Sequence, residues 1–180
     1  MEIRQANRRE RKLMKKLYLR AFPKAERKPF SAMCRMAAKG MMEMLVIADQ
    51  GYLVGLAITA RYKDLVLLDY FAVSEVFRGQ NYGSRALEML KKRYEDKRFL
   101  LEIETPDEKA SNQIQRVRRK NFYLRGDMQE TGIRISLCGV PMELMSDGKD
   151  VSFEEYHDIY KYAVNPVFAR KVVFIGKDVK

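Results

Sequence analysis

The sequence has few of the residues that most often form disulfides, metal sites or catalytic triads. It has two cysteines, Cys34 and Cys138, which lie far apart without a CxxC motif, so neither a disulfide framework nor a cysteine-based zinc site is expected. The single histidine, His157, excludes most zinc hydrolase sites and most Ser/His or Cys/His triads unless it alone serves them. We interpret it as an ordinary histidine on a helix surface. A reducing cytoplasm fits this composition best, and no metal is predicted.

Long apolar runs are also missing. The basic start of the chain is not followed by an apolar run of signal-peptide length, and every apolar run ends well before 18 residues, so no membrane association is expected. No low-complexity linker or internal repeat divides the sequence. A length of 180 residues suits one domain. We therefore predict a single domain over residues 1–180, in which residues 146–180 form a C-terminal extension of a helix and an edge strand.

Positive charge is abundant, with 35 Lys and Arg against 24 Asp and Glu and a formal net charge of +11. Much of it lies between Arg8 and Lys28, where apolar residues such as Met14 and Leu17 recur at helical spacing. This pattern predicts an amphipathic helix with a basic outer face. A solvated surface is the simplest interpretation, and attraction of an anionic ligand or of nucleic acid stays open. Nucleic acid is disfavoured because no aromatic residues are interleaved as a stacking platform.

The hydrophobic pattern predicts a mixed α/β fold. A second helix is expected over residues 29–40, and three strands follow whose short connections imply an antiparallel meander. A helix, a strand and another helix come next, the last with Ile114 and Val117 as its buried positions. Two further strands, a helix opened by a capping box at Ser152 and Glu155, and an edge strand complete the chain. The predicted strands cover residues 44–48, 52–62, 65–73, 99–104, 134–137, 142–145 and 172–175, and the later helices residues 84–94, 108–120 and 152–163.

The segment over residues 73–84 carries the most chemical information. A strand that ends in a small-residue loop and turns directly into a helix presents unpaired backbone N–H groups, and the helix dipole there favours negative charge. Gly79 and Gly83 have no Cβ to block the approach of oxygen atoms, and Arg78 adds a permanent cation. The sequence matches neither a P-loop nor a GxGxxG fingerprint. It therefore predicts a phosphate-binding loop of another kind, and a plain glycine turn is the alternative.

This segment resembles the acetyl-CoA pyrophosphate loop of the GNAT N-acetyltransferases, whose signature is Arg/Gln-x-x-Gly-x-Gly/Ala at a strand-to-helix junction. Arg78, Gly83 and the strand residue Val73 match it. Asn81 stands where the family usually has glycine, and asparagine tolerates the left-handed backbone geometry of that position. The order of predicted elements from about residue 2 to 146 also follows the GNAT fold. The resemblance implies a mixed, mostly antiparallel central sheet flanked by helices.

The resemblance also implies an activity and a set of cofactor contacts. The protein is expected to move an acetyl group from acetyl-CoA to a primary amine of a small acceptor, by direct transfer in a ternary complex that leaves coenzyme A as product. The basic surface makes a polycationic acceptor less favourable, so an acidic or zwitterionic molecule is preferred, followed by a protein N-terminus or lysine. The implied cofactor contacts are the strand backbone at Phe71, Ala72 and Val73, the loop residues Arg78, Gly79, Gln80, Asn81, Tyr82, Gly83 and Ser84, and, less directly, Asn112.

The candidates for proton transfer lie nearby in the sequence. Glu102 and Glu104 are two residues apart on a predicted strand and share one face, so in a partly desolvated cleft their repulsion would raise the pKa of one of them and suit it to act as a base. The family's strand parts from its neighbour near the acetyl site, which favours Glu104 slightly. The family's tyrosine acid falls on Val117, which cannot donate a proton, and Tyr123 is the nearby substitute.

Other interpretations stay open. The missing tyrosine acid and the unusual Asn81 are compatible with a GNAT-like domain that binds acyl-CoA as a regulatory ligand without turnover, and a basic nucleic-acid-binding module is a less favoured alternative. A homodimer is compatible with the sequence. The cluster of Arg116, Arg118, Arg119, Lys120 and Arg125 is either a solvated helix face or a contact for the 3′-phosphate of coenzyme A or an acidic substrate.

Overall fold

The structure is a computed structural model that describes residues 1–178. The strands are β1 (Glu2–Gln5), β2 (Met42–Asp49), β3 (Tyr52–Tyr62), β4 (Leu65–Val73), β5 (Arg98–Glu104), β6 (Gln129–Leu137), β7 (Val140–Ser146) and β8 (Val172–Lys177). The helices are α1 (Arg8–Ala21), α2 (Phe30–Ala38), α3 (Tyr82–Arg93), α4 (Gln113–Arg125), α5 (Phe153–Ile159) and α6 (Pro166–Ala169). A 3-10 turn (Lys24–Glu26) follows α1, and a π turn (Tyr160–Val164) extends α5.

All eight strands form one sheet in the order β1-β2-β3-β4-β5-β7-β6-β8. Only the β4–β5 pair is parallel, and every other neighbouring pair is antiparallel. The parallel pair is possible because α3 forms the crossover between β4 and β5. The expected mixed, mostly antiparallel sheet is confirmed, and β8 is an edge strand as predicted.

The sheet opens between β4 and β5 into a fork. Their pairing runs only from Leu65 opposite Arg98 to Leu68 opposite Leu101, although β4 continues to Val73 and β5 to Glu104. The β3–β4 register shifts at the same level, so that Asp69 is an extra residue in β4. Such a bulge bends the strand and redirects its side chain. Beyond Leu68, the edge of β4 that faces β5 has no strand partner.

The two faces of the sheet are covered by different helices. Met14 and Tyr18 of α1, Met33 of α2 and Tyr156 of α5 pack on the face that carries Leu100. The opposite face carries Leu101 and Ile103 and packs against Leu87 and Leu90 of α3 and Tyr123 of α4. This division follows from the alternation of side chains along β5. Helices thus form one layer on each side of the fork.

The basic segment forms a shorter helix than its charge pattern indicates. Helix α1 buries Met14 and Tyr18 and exposes its Lys and Arg residues except Arg11, which is half-buried, so the predicted basic outer face is present. It ends at Ala21 because Phe22 has an extended backbone and precedes Pro23, which disfavours a helical residue before it. The rest of the segment is the 3-10 turn and the connection to α2, where Lys28 is buried.

The prediction that Ile114 and Val117 are buried was wrong. Their exposed fractions are 69% and 36%, and the buried residue of α4 is Tyr123. The helix begins at Gln113 because Asp107 holds the preceding turn. Its carboxylate accepts from the Lys109 N–H at 2.9 Å, and its own N–H donates to the Gln113 side chain at 2.7 Å.

The C-terminal extension packs against the core. Ser152 and Glu155 form the predicted capping box at the start of α5, and Tyr156, Ile159 and Tyr160 are fully buried. Within residues 1–178, no helix is long and apolar enough to cross a bilayer. The same residues contain no cluster of three or more His, Cys, Asp or Glu side chains arranged to hold a metal ion.

Candidate active site

The loop between β4 and α3 presents a row of free backbone N–H groups. Gly79 and Asn81 both have positive φ angles, +75° and +61°, and Asn81 is the left-handed residue that precedes the first turn of α3. Arg85 makes the first regular bond of the helix, to the Asn81 carbonyl at 3.2 Å. None of the N–H groups from 79 to 84 forms a hydrogen bond to an acceptor in the described part of the chain. The asparagine therefore supports the geometry that the family's glycine usually supplies.

The glycines of this loop have different structural roles. A Cβ at Gly79 would meet no atom within 4 Å, so the space above its backbone is open. A Cβ at Gly83 would lie 3.3 Å from Cε2 of Phe122, so this glycine lets the first turn of α3 approach α4. Arg78 is exposed and lies 3.7 Å from the Glu75 carboxylate, an ion pair that solvent screens. An open backbone surface at a helix N-terminus with an exposed cation beside it can accommodate a diphosphate.

The end of β4 has one free edge. Phe71, Ala72 and Val73 pair with β3 on one side only, so their other backbone groups face the fork. The pairing of β4 with β3 requires the glycine at position 55, because a Cβ there would lie 2.5 Å from the Ala72 carbonyl oxygen. The role of Gly55 was not predicted, although a glycine inside a strand pattern is itself a signal of close backbone approach.

Three predicted cofactor contacts have side chains engaged within the protein. The Gln80 amide donates to the Val76 carbonyl at 3.1 Å, and the Tyr82 hydroxyl donates to Asp49 at 2.9 Å. Asn112 lies at the start of α4, where its amide is 3.3 Å from Glu104. The loop residues therefore offer their backbone rather than their side chains, and Asn112 belongs to the group around Glu104.

Glu104 is held by two arginines at the end of β5. Its Oε1 lies 2.8 Å from Arg116 and its Oε2 lies 2.9 Å from Arg119, and its side chain is 9% exposed. Lys120 of the same basic cluster pairs with Glu130 and Glu143. Arg116, Arg119 and Lys120 therefore form ion pairs within the protein and are not simply a solvated helix face.

Glu102 lies in a different environment on the same strand. Its carboxylate accepts hydrogen bonds from the hydroxyls of Tyr156 and, at 2.6 Å, Tyr160. Burial raises the pKa of Glu102, the nearby ammonium of Lys28 acts to lower it, and Asp69 raises it. The two tyrosines were not predicted, because they belong to the C-terminal extension and reach Glu102 only in the folded chain.

A cation lies beside Glu102. The Lys28 ammonium pairs with Asp69, the bulged residue of β4, and lies 3.3 Å from the Tyr160 hydroxyl. It also lies over the rings of Tyr70 and Tyr160, 5.2 and 4.8 Å from their centroids. Asp69 and Glu102 are the first residues of the two strands beyond their last pair. We refer to Lys28, Asp69, Glu102, Tyr156 and Tyr160 as the fork cluster.

Tyr123 lies on the other face of the sheet. It packs with Leu101 and Ile103 in the apolar cluster beneath α3 and α4, and burial raises its pKa to about 12. Within residues 1–178, burial and the charge of Arg119 act on its hydroxyl, and no hydrogen bond does. The structure thus brings Glu102 together with Tyr156 and Tyr160, and it keeps Tyr123 apart from them.

A family sequence model described as "Acetyltransferase (GNAT) family" matches residues 9–117, which is more than half of the chain. The chain belongs to the GNAT family. The resemblance of the chain to this family is therefore confirmed, by a match whose range includes the loop, most of α1, α2 and the fork. A comparison with curated proteins finds no match to this GNAT chain.

Solved structures share the fold at low sequence identity. A GNAT-family acetyltransferase from Bacteroides thetaiotaomicron is 20% identical, with 94% of this chain and 99% of that chain covered and a TM-score of 0.77. The ribosomal-protein-S18-alanine N-acetyltransferase from Escherichia coli is 18% identical, with coverages of 84% and 99% and a TM-score of 0.63. An aminoglycoside 6′-N-acetyltransferase complexed with coenzyme A is 16% identical, with coverages of 81% and 96% and a TM-score of 0.63. These likenesses establish the GNAT fold of the chain.

Proposed function

We propose that this GNAT protein transfers an acetyl group from acetyl-CoA to a primary amine, by direct attack within a ternary complex. One observation carries the proposal: the free N–H groups of residues 79–84 open beside a strand edge that has no partner. A diphosphate requires several convergent donors, and a pantetheine arm carries amides that can pair with a strand edge. The coenzyme A bound to the aminoglycoside N-acetyltransferase of the same fold supports the proposal.

The residues that would hold the donor follow from these groups. The backbone of residues 79–84 would bind the diphosphate, with Arg78 as an adjustable counter-charge. The free edge at Phe71, Ala72 and Val73 would bind the pantetheine amides and direct its sulfur end toward the bulge at Asp69. Bound acetyl-CoA supplies a thioester carbonyl that a neutral amine can attack.

We propose Glu102 as the base that removes the proton from the acceptor amine. It lies at the base of the fork, it is partly accessible, and burial raises its pKa toward the range in which a carboxylate accepts protons near neutral pH. Both oxygens of Glu104 are engaged by arginine cations, which favours a positioning role for it. Tyr156 and Tyr160 would hold the Glu102 carboxylate in one orientation.

The departing thiolate needs a proton, and Tyr123 stays our candidate for its donor. A tyrosine hydroxyl is protonated at neutral pH, which is the state that an acid requires. The Tyr123 hydroxyl has no hydrogen-bond partner among the described residues. Tyr123→Phe should therefore lower turnover and leave the binding of coenzyme A unchanged.

The charges around the fork favour an acidic or zwitterionic acceptor. Arg116 and Arg119 lie at the end of β5, and the side chain of Arg119 is 41% exposed, so it can bind a carboxylate of a molecule in the fork. Proteins of the same fold are named for aminoglycosides, spermidine and a ribosomal-protein alanine. That variety indicates that the acceptor is set by such local side chains rather than by the fold.

The test combines binding and turnover. Thermal melting with coenzyme A or with duplex DNA should show stabilisation by coenzyme A alone, and thiol release from acetyl-CoA should appear with an amine in a panel of acidic, neutral and basic acceptors. Stabilisation without thiol release would indicate an acyl-CoA-binding domain without turnover. Stabilisation by DNA alone would overturn the proposal.

The proposed base has a matched control on the same strand. Glu102→Gln should keep coenzyme A binding and lower kcat by about 100-fold or more, since general base catalysis contributes at least that much. Glu104→Gln should lower kcat by a smaller factor. The reverse order of effects would assign the base to Glu104, as the sequence alone suggested.

A further inference from the structure

We propose that Lys28 is a positioning residue for this reaction, and that its ammonium keeps Glu102 in the proton-accepting form through a contact shared with Tyr160. The inference rests on the proposed function, because it concerns the residue proposed there as the base. Lys28 does not touch the reacting atoms in this proposal. It acts on Glu102, and Asp69 holds it in place.

Lys28 is fixed by its backbone as well as by its side chain. Its N–H donates to the Tyr70 hydroxyl at 3.0 Å, and its carbonyl accepts from the Tyr18 hydroxyl at 2.9 Å. The side chain is 7% exposed. A lysine loses much side-chain entropy when it is held in this way, so its direction toward the fork is specified by the surrounding core.

The contacts of Lys28 form a chain that leads to Glu102. Its ammonium donates to the oxygen of the Tyr160 hydroxyl at 3.3 Å, and that hydroxyl donates to Oε1 of Glu102 at 2.6 Å. A donor that itself receives a hydrogen bond from a cation is polarised and binds a carboxylate more strongly. The positive charge is thus transmitted to the base by a hydrogen bond as well as through space.

A role limited to an ion pair with Asp69 does not explain these contacts. Asp69 is 1% exposed, and its Oδ2 is a buried oxygen without a hydrogen-bond partner in the described part of the chain. A pair selected for stability alone would satisfy both carboxylate oxygens, because a buried unsatisfied oxygen costs about 1–3 kcal/mol. The ammonium contacts Tyr160 instead, on the side of Glu102.

The groups that face Glu102 come from four segments of the chain, and the charged ones have opposite effects on it. Lys28, in the connection to α2, contributes a positive charge, and Asp69 of β4 contributes a negative charge. Tyr156 of α5 and Tyr160 of the π turn contribute neutral hydroxyl donors. Burial raises the pKa of Glu102, and the cation and the second carboxylate then act in opposite directions. Replacing Lys28 and replacing Asp69 with neutral residues should therefore shift the pH midpoint of the Glu102 titration in opposite directions.

The experiment measures the titration of Glu102 directly. Protein labelled with [5-13C]glutamate is titrated by carbon NMR, and the Glu102 signal is assigned by its loss in Glu102→Gln. Lys28→Met should raise the midpoint by about one pH unit, the lower end of the effect of a nearby opposite charge. Asp69→Asn should lower it, the double variant should lie near the wild type, and Lys28→Arg should stay close to the wild type.

Turnover gives the second measurement. The acidic limb of the pH profile of kcat/KM should move with the NMR midpoint in each variant. A purely structural role would change the maximum value of kcat/KM and leave the pH of that limb unchanged. Equal midpoints in the wild type and Lys28→Met, or shifts of both single variants in one direction, would overturn the inference. If Lys28→Met does not fold, Lys28→Gln and Asp69→Asn carry the same test.

The two proposals can fail separately. A shifted midpoint in a protein that releases no thiol with any acceptor would refute the catalytic proposal, and with it the positioning role. If thiol is released but the acidic limb of the pH profile stays in place in the Lys28 and Asp69 variants, the transferase proposal is intact and the role of Lys28 is refuted.

Discussion

A carboxylate introduced at Ser84 should separate ligand binding at the loop from the stability of the fold. Ser84 is the third residue of α3 and is exposed, and its N–H belongs to the free row of residues 79–84. An acidic side chain in the first turn of a helix stabilises it by about 0.3–1 kcal/mol. The melting temperature of unliganded Ser84→Asp should therefore equal or exceed that of the wild type, while the same charge repels a bound diphosphate.

The size of the repulsion can be worked out from the site. Two unit charges roughly 6 Å apart repel each other by about 1.4 kcal/mol at an effective dielectric constant of about 40. A diphosphate with about two charges loses about 3 kcal/mol in this way. The Kd for coenzyme A should therefore rise about 100-fold, because each 1.4 kcal/mol is a factor of about ten.

Titration calorimetry or a thermal-shift titration would measure this change, with Ser84→Asn as the neutral control. The difference between Asp and Asn should shrink as salt is added, since the site is open to solvent. Dephospho-coenzyme A keeps the diphosphate and should show the same penalty. Equal affinities of the Asp and Asn variants would refute the assignment of the loop. Gly83→Asp is a poorer test, because a Cβ there lies 3.3 Å from the Phe122 ring.

Two further predictions concern stability. Because burial raises the pKa of Glu102 in the folded protein, its contribution to stability is present below its ordinary pKa and is lost as pH rises through the raised value. Glu102→Gln should therefore gain melting temperature relative to the wild type as pH rises above about 4.3, the ordinary pKa of glutamate, and a constant difference would contradict this sign. Gly55→Ala should lower the free energy of unfolding by about 1–3 kcal/mol, because its Cβ would lie 2.5 Å from the Ala72 carbonyl oxygen. Gly176→Ala is its control in urea denaturation, since a Cβ there meets no atom within 4 Å, and equal losses would mean that β4 can move away from β3.

The sequence predicted the elements that depend on local pattern. The bounds of β3 and β4 agree with the predicted strands to the residue, because alternating apolar residues and short turns mark them. The short edge strand β1 was not predicted, since its four residues include only one apolar side chain, Ile3. The face of α4 was misjudged because its first turn is displaced by the hydrogen bonds of Asp107, which a periodic pattern does not reveal.

The candidate site also has one part that follows from the local sequence and one part that depends on the tertiary structure. The sequence by itself determined the geometry of the loop before α3, because the free N–H groups of a helix N-terminus and the backbone freedom of Gly79 and Asn81 are properties of a few consecutive residues. Only the tertiary structure decided the fork cluster. Lys28 and Tyr160 are 132 positions apart, and the bulge at Asp69 breaks the alternation from which a side chain's direction could be inferred. Which carboxylate on β5 is neutralised by arginines and which is held by tyrosines depends on contacts between distant segments, and these exist only once the chain has folded.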